Sequence, residues 1–297
     1  MAKASSKAQS YPALSLLLIV FFILSISSSH AQQYLLANSS GGIVEVSLTG
    51  TVTPFISSGL IGPAGMAYDS NGNLFVADTG NHTIQKFDSS LNQSTFITEA
   101  SNIYGLTFDS SGLLYAAQPT SGNILKLTSG GVQSTFATGL DQPRNITFDS
   151  SGNGYVNGYF GGTITKIAAG TGTQTTFASG LSHPFDATFD LTGNLFVSNQ
   201  LGNTITKITP GGVTSTFASG LNIPDEIVFD NNNNMYVANN GTNSIIEITP
   251  AGVETTLASG LSGVWFLTMA PEPGTWALLA VGLIVIGVAL RKRHRVS

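Results

Sequence analysis

The chain has no cysteine, so disulfides and thiolate metal sites are both excluded. Charge is also scarce. Asp, Glu, Lys and Arg make up 9% of the 297 residues, against roughly a quarter in an ordinary soluble protein. Lys3, Lys7, Arg291, Lys292, Arg293 and Arg295 lie in the terminal segments. Between Gln32 and Ala270 only 5 basic residues (Lys86, Lys126, Arg144, Lys166, Lys207) stand against 15 acidic ones, a balance of −10. Nucleic acid needs clustered Lys and Arg to displace its counterions, so this balance argues against it as a partner. Helical periodicity is missing from the same stretch. Stability must therefore come from burial in β-structure, which about 240 residues can supply.

What the chain does have is repetition. An aspartate closes an aromatic-Asp pair at Asp69, Asp109, Asp149, Asp190 and Asp230, at intervals of 40, 40, 41 and 40 residues. A second column, ending a short apolar run, is Asn38, Asp78, Gln118, Asn157, Asn199 and Asn239. Self-similarity at this period points to a solenoid, an array or a propeller. Residues 181–220 show the module clearly. Phe185 to Asp190, Leu195 to Ser198, Thr204 to Thr209 and Val213 to Ser219 read as four short strands with Gly, Asn and Pro turns between them. Four antiparallel strands every 40 residues or so make the blade of a β-propeller.

The blade count follows from the ends of the repeat. Taking the strands as a to d from the axis outward, Tyr34 to Asn38 aligns with strand b, and Trp265 to Met269 aligns with strand a. The prediction is an all-β, six-bladed propeller over residues 32–270, its ring closed by C-terminal strand a joining N-terminal strands b to d.

Both flanks read as addresses. Residues 1–31 combine Lys3 and Lys7, an apolar run from Leu14 to Leu24 and small residues ending at Ala31. That is the plan of a secretory signal peptide, with an N-terminal membrane anchor as the competing reading. Residues 271–297 carry Pro271-Glu272-Pro273-Gly274, an apolar stretch from Trp276 to Leu290, and a tail containing Arg291 and Arg293. The stretch is short for the roughly 20 residues that cross a bilayer, and the basic tail would hold its own end in the cytoplasm.

The tail resembles the PEP-CTERM sorting signal of envelope-bearing bacteria. That resemblance implies signal peptidase and an exosortase-type machinery as partners, transient membrane tethering through the helix, and delivery to the cell surface or extracellular matrix. Gly62 to Ile84, with its Asn81-His82 pair, resembles the repeat of NHL propellers, a likeness that implies the fold and leaves the activity open.

In a ring of repeats, a residue present in every blade is a folding device, and one unique to a blade is a candidate for function. The repeated aspartates read as turn caps. Lys86, Lys126, Lys166 and Lys207, in one strand-c column with Glu45 and Glu247, read as an outer solvated face. The informative column is the start of strand a. Gly65 and Gly105 occupy it in two blades, followed by Asn145, Asp186 and Glu226, with Arg144 and Asp225 as neighbours. These five are the candidate ligand-binding residues, predicted to converge at the channel mouth, with Tyr104, Phe185 and Trp265 adding stacking surface.

Gluconolactonases and related six-bladed hydrolases hold a divalent metal at this end with Glu, Asn and Asp, the Asn or Asp directly before a Gly. Here the equivalent positions read Ala64, Tyr104, Arg144, Phe185, Asp225 and Trp265, and Glu226 follows the one suitable residue. Streptogramin lyases need a His beside a metal-binding Glu, whereas His82 and His183 are single and read as turn residues. The expectation is therefore a monomeric, non-enzymatic binding or matrix module for carbohydrate or protein, with no cofactor and no catalytic residue. The alternative is a metal-assisted hydrolase or lyase using Asn145, Asp186, Asp225 and Glu226.

Overall fold

A computed structural model describes residues 34–40 and 42–270. The signal-peptide segment with Ala31, the Pro271-Glu272-Pro273 motif and the Trp276 to Leu290 span lie outside the described residues. Among the described residues no helix is long and apolar enough to cross a membrane.

The described chain forms six four-stranded antiparallel sheets. The innermost strands are Pro63–Tyr68, Leu106–Phe108, Ile146–Phe148, Pro184–Phe189, Pro224–Phe229 and Leu267–Met269. Each adjoins the next in that order, and the last adjoins the first, so the sheets close into a ring around an axis. We number the blades 1 to 6 along the chain. Blade 1 contains Tyr34–Ser39, Gly42–Ser47 and Val52–Ile56, completed by Leu267–Met269.

The burial gradient explains the repeat. The second strand of a blade is sandwiched between its neighbours and reads buried at all positions, as in Leu74–Asp78 and Leu195–Asn199. Outermost strands such as Gln133–Ala137 expose their first three residues. Aromatic side chains couple one blade to the next. Phe75 of blade 2 meets Phe96 of its own outer strand at 4.9 Å between ring centroids and Phe108 of blade 3 at 5.3 Å. The same trio recurs as Tyr115, Phe136 and Phe148, as Tyr155, Phe177 and Phe189, and as Phe196, Phe217 and Phe229. Each such pair stabilises by about 1 kcal/mol beyond its buried area.

The repeated aspartates cap the turns that follow the innermost strands. Asp69 Oδ1 accepts from the backbone N–H of Asn71 at 2.9 Å and of Asn73 at 2.8 Å, and Asp190 and Asp230 do the same. The lysine column lies along these aromatic side chains. Lys86, Lys166 and Lys207 each hold their ammonium 5.4–5.5 Å from the ring of Phe75, Tyr155 or Phe196.

Ring closure rests on Asn38. Leu35, Leu36 and Ala37 pair antiparallel with Met269, Thr268 and Leu267. Asn38 Oδ1 accepts from the N–H groups of both Trp265 and Phe266 at 2.8 Å, and its Nδ2 donates to Pro63 O of blade 2 at 3.0 Å. Trp265 and Phe266 lie before the closing strand rather than in it: their N–H groups go to the Asn38 side chain, while Phe266 O accepts from Asn38 N at 3.1 Å.

Candidate functional site

Every second residue of an innermost strand faces the axis. One layer of the channel comprises Ala67, Thr107, Thr147, Thr188, Val228 and Thr268. The layer above it, toward the strand starts, comprises Gly65, Gly105, Asn145, Asp186, Glu226 and Phe266. The channel holds a cavity of about 310 Å³ lined by all six innermost strands.

Three of the five predicted residues converge there. Asn145 Nδ2 donates to Asp186 Oδ1 at 2.8 Å and to Glu226 Oε1 at 3.4 Å, so one amide ties blades 4, 5 and 6. Asp186 Oδ2 accepts from Ile227 N at 3.1 Å. Glu226 keeps some surface toward the channel, yet its Oε2 is buried without a hydrogen-bond partner. Burial pushes the Asp186 carboxyl up to about 6. For Glu226, burial and then the charges of Asp186 and Asp225 hold the carboxyl well above its usual range. Charge on Asp186 thus disfavours charge on Glu226.

The glycines of this layer are there for space. A Cβ on Gly65 would come within 2.7 Å of Gly105 Cα and of Leu106 N, and one on Gly105 would meet Arg144 O and Asn145 Oδ1 at 2.5 Å. Neighbouring strand starts approach closely here, joined by Gly65 N donating to Tyr104 O and Gly105 N donating to Arg144 O.

Phe266 completes the layer, and the sequence reading passed over it because that reading looked for polar departures. It is buried, with its ring 5.5 Å from Phe185 of blade 5 and 6.2 Å from Tyr104 of blade 3. These rings come from alternate blades, so they meet across the axis. They roof the Asn145, Asp186 and Glu226 cluster on the side of the strand starts.

Arg144 and Asp225 do not join that cluster. Arg144 instead packs beside the roof ring of Tyr104, and Asp225 reaches the cluster only through its charge, which acts on Glu226. The Arg144 guanidinium lies over Tyr104 at 4.8 Å and over Tyr159 at 4.4 Å, and its Nε is buried without a hydrogen-bond partner. Asp225 is fully buried. Its Oδ1 accepts from Gln200 Nε2 at 2.6 Å, and its Oδ2 has no partner. Burial raises its carboxyl to about 7, with Arg144 pulling weakly the other way. Gln200 Oε1 in turn accepts from the Tyr159 hydroxyl.

Tyr159, Phe160 and Gln200 were also absent from the sequence reading. Their signal was available: blade 4 places Tyr159-Phe160 in the turn after its second strand, where blades 2 and 6 place Thr79-Gly80 and Asn240-Gly241. His82 and His183 occupy left-handed turn positions (φ 54° and 53°), and the His183 ring packs against Tyr159 and Phe160.

A second cavity, about 280 Å³, lies at the seam of blades 1 and 2, walled by Trp265, Tyr104, Phe266 and Pro63. Trp265 is 40% exposed and Phe160 61%. A larger cavity, about 490 Å³, sits between the Asp149 and Asp190 turns, but those carboxylates are already saturated by their turns.

Asn145 turns its amide N–H₂ toward the carboxylates, while its oxygen accepts from Ile146 N and Thr107 Oγ1. Among the described residues no group of three or more His, Cys, Asp or Glu is placed to hold a metal ion.

Residues 60–87 match the model of the NHL repeat. The chain carries an NHL repeat. Residues 270–293 match the PEP-CTERM protein-sorting motif, so this is an exported protein addressed for surface sorting through exosortase-type machinery. Sequence comparison with curated proteins finds no match.

Among solved structures, a chain of a nidogen/laminin complex superposes with a TM-score of 0.74 at 19% identity, covering 81% of this chain and 99% of that one. Virginiamycin B lyase from Staphylococcus aureus gives 0.63 at 17%, covering 82% and 94%. A protein described as a candidate gluconolactonase gives 0.60 at 15%, covering 72% and 87%. At these identities the likeness is one of fold.

Proposed function

We propose that this exported propeller is a non-enzymatic binding module whose ligand surface is the mouth face around Arg144, Tyr104, Tyr159, Phe160 and Trp265. The observation that carries the reading is the division made by the aromatic roof. Asn145, Asp186 and Glu226 are tied into hydrogen bonds between blades on the channel side of Phe185 and Phe266, and Asp225 is buried against Gln200. Beside the roof lie aromatic rings and a half-buried arginine, the residue types that dominate binding hot spots. Surface sorting suits such a module, since a ligand outside the cell meets an exposed face.

The test is binding by the intact protein to arrayed glycans and extracellular proteins, run with Trp265→Ala and Phe160→Ala. Binding that drops in both variants is expected. Turnover of a substrate that depends on a divalent metal and is lost in Asp186→Asn would overturn the reading in favour of a hydrolase or lyase.

A further inference from the structure

We infer that the mouth face takes a uronic-acid residue, with the sugar ring in the Trp265 cleft and its carboxylate on Arg144; this rests on the binding-module reading above. Arg144 is the only lysine or arginine of residues 34–270 outside the strand-c lysine column. The acidic group beside it is the buried Asp225, whose carboxyl burial holds protonated up to about 7. The rings of Tyr104 and Tyr159 hold the guanidinium, and its Nε has found no acceptor within the protein. A guanidinium held by rings offers its remaining N–H groups in its own plane, the geometry that receives a carboxylate through two parallel hydrogen bonds.

Tyr104 connects this cation to the cleft. The ring that packs on Arg144 is also a wall of the 280 Å³ cavity beside Trp265. That volume is at the small end for ligand sites, and its walls are mostly apolar, with hydroxyls from Ser40 and Thr79 at the edge. A flat ring with an apolar face and a rim of hydroxyls fills such a space, and a carboxyl carried past the edge of Tyr104 would meet Arg144. Charge decides between candidate ligands. The body of the propeller carries a balance of −10, so a densely anionic peptide is repelled, whereas a single sugar carboxylate seated against one arginine gains its partner at little cost in repulsion.

The test is isothermal titration calorimetry of the intact protein with methyl galacturonoside, its neutral methyl ester and a tetra-aspartate peptide. The acid should bind at least about tenfold more tightly than the ester, as expected for hydrogen bonds to a charged group. Arg144→Gln should abolish that difference, Arg144→Lys should retain only part of it, and Trp265→Ala should weaken acid and ester alike. Unchanged thermal transitions establish that each variant is folded. Equal affinity for acid and ester, or an acid preference that survives Arg144→Gln, overturns the uronate assignment while Trp265-dependent binding leaves the binding-module reading in place. Tetra-aspartate binding as tightly as the acid, independent of Trp265, overturns it in favour of an acidic peptide. No binding by any of the three probes also overturns it, and the broader reading is then decided by its own array.

Discussion

Asp225→Asn should make the protein more stable at pH 8 and leave it unchanged at pH 4. In the fold the Asp225 carboxyl holds its proton up to about 7, against an ordinary value of 3.8. Its raised value means that the folded state binds more protons than the unfolded chain between those two pH values. Stability from this group is therefore fully present below about pH 4 and lost as pH rises through about 7.

The gap is about three units, each worth about 1.4 kcal/mol, so the ceiling on the loss is about 4 kcal/mol. Asparagine keeps an oxygen for Gln200 Nε2 to donate to and removes the charge that burial penalises. The variant should thus melt higher than the parent at pH 8, by up to on the order of 10 °C. Circular dichroism melts of both proteins from pH 4 to 8 measure this. Taking the difference between them cancels the opposite contribution of Asp109, Asp149 and Asp190, where turn hydrogen bonds outweigh burial and hold the carboxyls below their ordinary value. A difference that is flat across pH, or a variant that melts lower at pH 8, would refute the account of a buried and poorly compensated acid.

Gly65→Ala should destabilise by about 1–3 kcal/mol, because the new methyl meets the backbone of blade 3 rather than a side chain that can turn aside; denaturant melts of this variant beside Gly112→Ala, whose methyl meets nothing but whose φ is positive, separate crowding from backbone strain. Asn38→Ala leaves the N–H groups of Trp265 and Phe266 and the carbonyl of Pro63 without their partner. A loss of about 3 kcal/mol is expected, and a change below about 1 kcal/mol in urea titration would count against the role of Asn38 in closure. Intact-mass measurement of the surface-released protein should show a product lacking Arg291 to Arg295; finding them retained would rule out processing near Pro271.

The six-bladed ring and its split first blade were legible because both follow from register. A 40-residue period and an offset between the two ends leave one way to close. The convergence of Asn145, Asp186 and Glu226 was legible for the same reason, since one column of a repeat maps to one layer of the channel. The column reading did not separate sequence neighbours. Arg144 and Asp225 are adjacent to Asn145 and Glu226, but the groups they pack against or bond to are Tyr104, Tyr159 and Gln200 rather than the cluster. Phe266 escaped notice because an apolar residue in an apolar repeat looks like scaffold. Only the meeting of rings from blades 1, 3 and 5 gives it a role. Tyr159 and Gln200 reach the site from turns, where sequence spacing says little about direction.

The seam in blade 1 also sets the order of events during export. Leu35 to Ala37 are made early and must wait, as an unpaired inner edge, for Leu267 to Met269 to be delivered. Until then the other five blades can form but the ring cannot lock. The last link is supplied by the residues immediately preceding the sorting motif at 270–293. Completion of the fold is thereby tied to arrival of the segment that the sorting machinery handles, and a chain stalled before that point presents an open arc rather than a closed ring.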